Sequence, residues 1–147
     1  MEIKTAFQAQ DILGEGPVWS REEEALYWVD IERPLLQRWH PQSNIRESWP
    51  MPSRLGCFAL RRQGGALVGL QDGLYHFDFV TGDLINVHRL ETNTRLRIND
   101  GKCDRNGRFW FGTMAMNERD PIAALYRWDG NGRCHTMRSG VAISNGL

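Results

Sequence analysis

Residues 74–79 read Leu-Tyr-His-Phe-Asp-Phe, an alternation of apolar and polar side chains that fits a pleated strand rather than a 3.6-residue period. Residues 25–30 (Ala-Leu-Tyr-Trp-Val-Asp), 66–70 (Ala-Leu-Val-Gly-Leu) and 108–112 (Arg-Phe-Trp-Phe-Gly) are short runs rich in aromatic and β-branched residues, again strand-like. No stretch carries the stripe of an amphipathic helix. Further strands are predicted at 35–40, 74–79 and 124–128, and at 46–51, 84–90 and 133–138. Between them lie Gln63-Gly64-Gly65, Thr81-Gly82-Asp83, Arg105-Asn106-Gly107 and Asp129-Gly130-Asn131-Gly132, which supply the positive φ angles that tight hairpins need.

These elements recur. Glu15-Gly16, Leu55-Gly56, Asp100-Gly101 and Asn145-Gly146 align, with their glycines 40, 45 and 45 residues apart (16 to 56, 56 to 101, 101 to 146). After each of the first three comes a set of four predicted strands. Four strands per unit at this period is the pattern of propeller blades; an open β-sandwich with accidental spacing is the competing all-β reading. Three blades and the start of a fourth do not close a ring. Residues 1–147 are therefore expected to be one incomplete propeller domain whose open blade faces promote self-association.

Composition narrows the function. Of the 147 residues, 41% are hydrophobic and 24% charged, and 18 basic residues balance 18 acidic ones. A nucleic-acid protein usually carries a basic excess, and here Lys and Arg cluster only in pairs such as Arg61–Arg62. No apolar run is long enough for a signal core or a membrane span. Cys57, Cys103 and Cys134 form no C-x-x-C pair and read as free thiols of a reducing compartment, with cytoplasm the expected location. The six tryptophans, among them Trp19, Trp28, Trp110 and Trp128, read as blade-packing residues.

Equivalent positions of the innermost strands meet around a propeller's axis. The residues before the repeat glycines are Glu15, Leu55, Asp100 and Asn145, and three of the four bear side-chain oxygens. Such oxygens are hard ligands for Ca²⁺, Mg²⁺, Mn²⁺ or, less typically, Zn²⁺. Beside glycine the same residues also serve as ordinary turn formers. The four histidines lack ligand spacing, and no G-x-S-x-G, Walker or G-x-G-x-x-G pattern occurs.

Several stretches together are distinctive: LGEGPVW at 13–19, LYWVDI at 26–31, GG-LVGL and DGLY within 64–75, R-x-NDGK-x-D at 97–104, GRFWFGTM at 107–114, LYR at 125–127 and ISNGL at 143–147. In these the chain resembles the gluconolactonase/regucalcin family of sugar lactonases. The resemblance implies a six-bladed β-propeller of about twice this length with one divalent metal ion on its axis. It implies metal ligation by Glu15 and Asn145, with Asn99 approaching the metal. It also implies substrate binding by Arg97, Asn99 and either Asn117 or Glu118. The remaining ligand, an aspartate that also acts as general base, is expected beyond Leu147. The function implied is opening of an aldonolactone to its aldonic acid, with no nucleic-acid or membrane partner. The 147 residues alone, lacking that aspartate, are expected to be inactive. The rival readings are a calcium-binding or interaction propeller without catalysis, and another metal-dependent hydrolase on the same fold.

Overall fold

The computed structural model describes residues 2–90 and 94–147, and all regular structure in them is β-strand. Twelve strands form three four-stranded antiparallel sheets in simple chain order. The first is β1 (Gly14–Ser20), β2 (Ala25–Asp30), β3 (Leu35–His40) and β4 (Ile45–Pro50). The second is β5 (Leu55–Leu60), β6 (Ala66–Leu70), β7 (Gly73–Phe77) and β8 (Leu84–Arg89). The third is β9 (Leu96–Cys103), β10 (Phe109–Ala115), β11 (Ala123–Trp128) and β12 (Cys134–Val141). The predicted hairpin glycines have the left-handed backbone expected of them, Gly64 at φ 87°, Gly82 at 78° and Gly107 at 76°.

The two-residue period sorts the core. On β6, Ala66, Val68 and Leu70 pack toward the first blade with Tyr27, Val29, Leu36 and Phe77. Leu67 points the other way and joins Cys57, Ile98, Phe109, Phe111 and Trp128 between the second and third blades. A strand buried on both faces needs apolar residues at every position, which is why Ala66–Leu70 has no polar side chain. The outer face of the first blade is covered by the chain before β1. Phe7 packs at a tilt against Trp28 and Trp39 with ring centroids 5.5 and 4.7 Å away. Asp11 accepts hydrogen bonds from Trp28 Nε1 (2.7 Å) and Gln37 Nε2 (2.9 Å). Trp28 and Trp128 are thus packing residues, whereas Trp19 is half-exposed, contrary to expectation, because it lies on the first strand's open side.

The inner strands β1, β5 and β9 each carry a bulge. Counted from the paired ends of the hairpins, Val29, Leu70 and Thr113 are equivalent, and their partners are Glu15, Leu55 and Ile98. The ladder breaks just after each of these, at Gly16-Pro17, Gly56 and Asn99. Asn99, not Gly101, therefore holds the repeat position in the third blade, and the glycine alignment of that unit is two residues out. Gly101 is glycine for a different reason: a Cβ there would lie 2.8 Å from both Cys57 Sγ and the Phe109 ring. Gly56 is required by the approach of β5 to β9, since its Cβ would fall 2.2 Å from the Ile98 carbonyl oxygen.

A candidate metal and substrate site at the inner strands

Antiparallel order places the β2–β3, β4–β5, β6–β7 and β10–β11 connections at one end of the sheets, beside the start of β1. Asp30 anchors that end. It is fully buried, and its carboxylate accepts the backbone N–H groups of Ile12 (2.9 Å), Leu13 (3.1 Å) and Arg33 (3.1 Å). Burial alone would raise its pKa. The three N–H donors and the nearby Arg33 charge outweigh that and hold the carboxyl below its usual range. Asp30 thereby fixes the entry into β1 and, two residues on, the place of Glu15. Its part was missed in sequence, where it read only as the end of a strand.

Glu15, Asn99 and Asn145, from the first bulge, the third bulge and the segment after β12, line one cavity of about 260 Å³. Gly16, Gly56 and Asp100 complete most of its wall. Glu15 is exposed, and its carboxylate makes no hydrogen bond or ion pair with a described residue. Asn99 donates from Nδ2 to the Ser144 carbonyl (3.0 Å), which leaves its own carbonyl oxygen as the unused end. Asn145 accepts from Gly146 N at 3.0 Å. Asp100, which the glycine spacing set level with Glu15, instead spends its carboxylate on Gly101 N (2.7 Å) and Leu147 N (3.0 Å). The segment carrying Asn145 is held in place. Ser144 N donates to Thr113 O at 3.1 Å, and the Ser144 side chain fills the space that a Cβ on Gly112 would take.

Among the described residues, no three His, Cys, Asp or Glu side chains gather as a metal cluster. The donors here are one carboxylate and two side-chain amides. Oxygen donors of this kind fit a hard divalent cation, and a single negative charge means that they make only part of a coordination sphere.

Arg97 and Glu118 do not line this cavity. Arg97 is buried on β9, donates to Ile98 O (3.1 Å) and faces the neighbouring space between the second and third blades with Gln71, His88 and Thr113. Burial pulls the guanidinium below the usual arginine value, and Glu32, Glu118 and Glu15 lie close enough to counter part of that. Glu32 itself is bound by Arg54 through both oxygens (2.8 to 3.1 Å). In the turn after β10, Asn117 Oδ1 accepts Arg119 N (3.2 Å) and Asp120 N (3.1 Å), a capping role that occupies it. Glu118 sits at φ 59° with its side chain exposed.

Comparison with known proteins agrees with this architecture. A 6-deoxy-6-sulfogluconolactonase of Pseudomonas putida is 39% identical over 149 residues, covering 99% of this chain and 50% of that protein. An L-arabinolactonase of Azospirillum brasilense is also 39% identical, over 80% of this chain and 40% of its own length. The chain thus spans about half the length of the curated relatives it matches. Among solved structures, a calcium-binding regucalcin from Agrobacterium tumefaciens superposes with a TM-score of 0.87 at 24% identity, over 94% of this chain and 47% of that one. A luciferin-regenerating enzyme superposes with a TM-score of 0.83 at 26% identity, over 93% and 48%. The three blades described above are therefore part of a propeller of the regucalcin and gluconolactonase kind. Residues 13–147 match the family described as SMP-30/Gluconolactonase/LRE-like region, and the chain belongs to that family.

Proposed function

We propose that residues 1–147 are the N-terminal half of one six-bladed propeller domain that hydrolyses a sugar lactone to its aldonic acid with one divalent metal ion. The observation that carries this reading is the meeting of Glu15, Asn99 and Asn145 at one cavity, from stretches up to 130 residues apart (15 to 145). Lactonase names among the relatives support the reaction, and the calcium-binding description of the Agrobacterium regucalcin supports the ion.

In this account Glu15 supplies the anionic ligand, and Asn145 and Asn99 supply neutral oxygens. Asn99 is held for that task by its bond to Ser144 O. A divalent ion so placed supplies Lewis-acid polarisation of a lactone carbonyl. Arg97, in the adjoining space, orients sugar hydroxyls of the bound lactone. Glu118 accepts from a hydroxyl at the rim, a role that Asn117 is too engaged to fill. The general base is an aspartate outside these 147 residues. Ca²⁺, Zn²⁺, Mn²⁺ and Mg²⁺ all suit the oxygen donors.

The test is turnover of aldonolactones by the six-bladed protein with each metal, beside Arg97→Ala and Glu118→Gln. Metal-dependent turnover that falls at least about tenfold in Arg97→Ala, with metal affinity retained, supports the assignment. A propeller that binds Ca²⁺ and opens no lactone is the non-catalytic alternative. The 147-residue chain, assayed alone, is expected to show no turnover.

A further inference from the structure

The chain ahead of β1 pairs with no strand of the first blade, yet it is laid out as a strand. Side chains at 7, 9, 11 and 13 are half-buried and those at 6, 8, 10 and 12 exposed, the two-residue period of an extended segment with one face packed. The segment is clamped to the first blade. The Arg46 guanidinium lies 5.3 Å over the Phe7 ring, Arg46 donates to Gln8 O (3.3 Å), and Arg33 donates to Gln10 O (3.2 Å). Gln10, at φ 61°, then turns the chain toward β1. What the segment lacks is a ladder. None of the backbone N–H groups of residues 3–11 donates to a described residue.

The molecule makes the same contact between its first two blades. Trp49, on the outermost strand β4, packs on Phe79 and Phe77 of the following blade, with ring centroids 4.7 and 6.3 Å away. Phe7 meets Trp39 at 4.7 Å, and both of these 4.7 Å pairs cross at 52°. Trp28 and Trp39 lie on the face of the first blade turned away from the second, because the alternate residues Tyr27 and Val29 pack toward the second. Sequence spacing agrees. Trp49 stands six residues before β5 (49 to 55), and Phe7 stands seven before β1 (7 to 14). Residues 4–9 therefore occupy the place of a fourth strand in a blade preceding the first, and no described sheet supplies the other three strands.

We propose that residues 4–9 are the outermost strand of the ring's last blade, added to a three-stranded sheet formed by chain beyond Leu147. The proposal rests on the six-bladed reading and adds to it how the ring is shut. A row of unpaired backbone N–H and C=O groups is a template for strand addition. Closing the ring this way leaves a propeller only short, protected edges. The chain spans about half the length of its relatives and supplies three complete blades, so the partner sheet comes from the remainder. The segment continues through Ile12 and Leu13, both held by Asp30, into Glu15. Closure thus ties the two ends of the ring together six residues from the candidate metal ligand (9 to 15).

The experiment compares amide hydrogen exchange, residue by residue, in the 147-residue chain and in the six-bladed protein. In the 147-residue chain the amides of residues 4–9 are expected to exchange as fast as those of exposed turns. In the six-bladed protein alternate amides of the segment are expected to slow by about 100-fold or more, to the level of β4. A second arm uses Ala6→Pro/Ala9→Pro, one position of each parity, so that whichever edge of the segment pairs loses a donor. It is expected to lower the thermal midpoint of the six-bladed protein by about 3 °C or more and to leave that of the 147-residue chain within about 1 °C. Fast exchange at 4–9 in the six-bladed protein overturns the proposal, as does equal protection in the two proteins. A double variant that lowers both midpoints alike, or neither, also overturns it. Lactone turnover is measured on the same six-bladed sample: protection at 4–9 without turnover supports the closing strand and sinks only the lactonase reading.

Discussion

Asp30 and Glu15 lie at the same end of the first blade, paired strand to strand within one residue, and they are opposites. Asp30 is completely buried and satisfied by three backbone N–H groups. Glu15 faces a cavity, and its carboxylate accepts no hydrogen bond from a described residue. The same contrast separates Asp100, whose carboxylate is spent on Gly101 N and Leu147 N, from Asn99, whose carbonyl is left over. A carboxylate that the protein has saturated is part of the scaffold. One that it positions and leaves unsatisfied is available to a ligand.

That comparison makes ordered predictions. Asp30→Ala should have the largest effect, about 3 kcal/mol of stability or more by urea unfolding, because three buried N–H donors lose a charged acceptor at once. The pH dependence has a definite sign. With the folded pKa depressed, the stabilisation from Asp30 is fully present above the ordinary carboxylate pKa of about 4 and is lost as pH falls through the lower folded value. Asp30→Asn should flatten that acid limb, and an unchanged limb would assign it to other carboxylates. Gly56→Ala should cost about 1–3 kcal/mol, by forcing β5 away from the Ile98 carbonyl. Asn117→Ala should cost about 1 kcal/mol and leave lactone turnover unchanged in the six-bladed protein, whereas Glu118→Gln should raise KM with little loss of stability. The reverse pattern would exchange their roles. Glu15→Gln should have the smallest effect on stability, within about 0.5 kcal/mol, since no protein contact is lost.

Much of this fold could be read from the chain because a strand's period, a hairpin's glycine and a blade's repeat are local properties. Residues 25–30, 35–40 and 66–70 were delimited by pattern alone and coincide with β2, β3 and β6. The third blade's register was not legible. Gly101 looks like another repeat glycine, and only the distance to Cys57 and Phe109 of the neighbouring strands shows that it serves packing. The bulge at Asn99 follows from ladder pairing, which no local pattern encodes. The site was half legible: Glu15 and Asn145 stand beside glycines in the repeat, while the roles of Asp30 and Asn117 rest on backbone donors brought up by the fold. The placement of Phe7 between Trp28 and Trp39 likewise depends on contacts 21 and 32 residues away (7 to 28, 7 to 39).

The central claim is that Glu15, exposed and unsatisfied, is a metal ligand. Calorimetric titration of the 147-residue chain with Ca²⁺ and Mn²⁺, wild type against Glu15→Gln and Asp30→Asn, tests it most directly. The account predicts one weak site per chain. Glu15→Gln should weaken it by about tenfold or more through loss of a carboxylate ligand, while leaving the unfolding midpoint in place. Asp30→Asn should shift the midpoint far more than its direct share in binding. Unchanged metal affinity in Glu15→Gln, with the chain folded, would contradict the account.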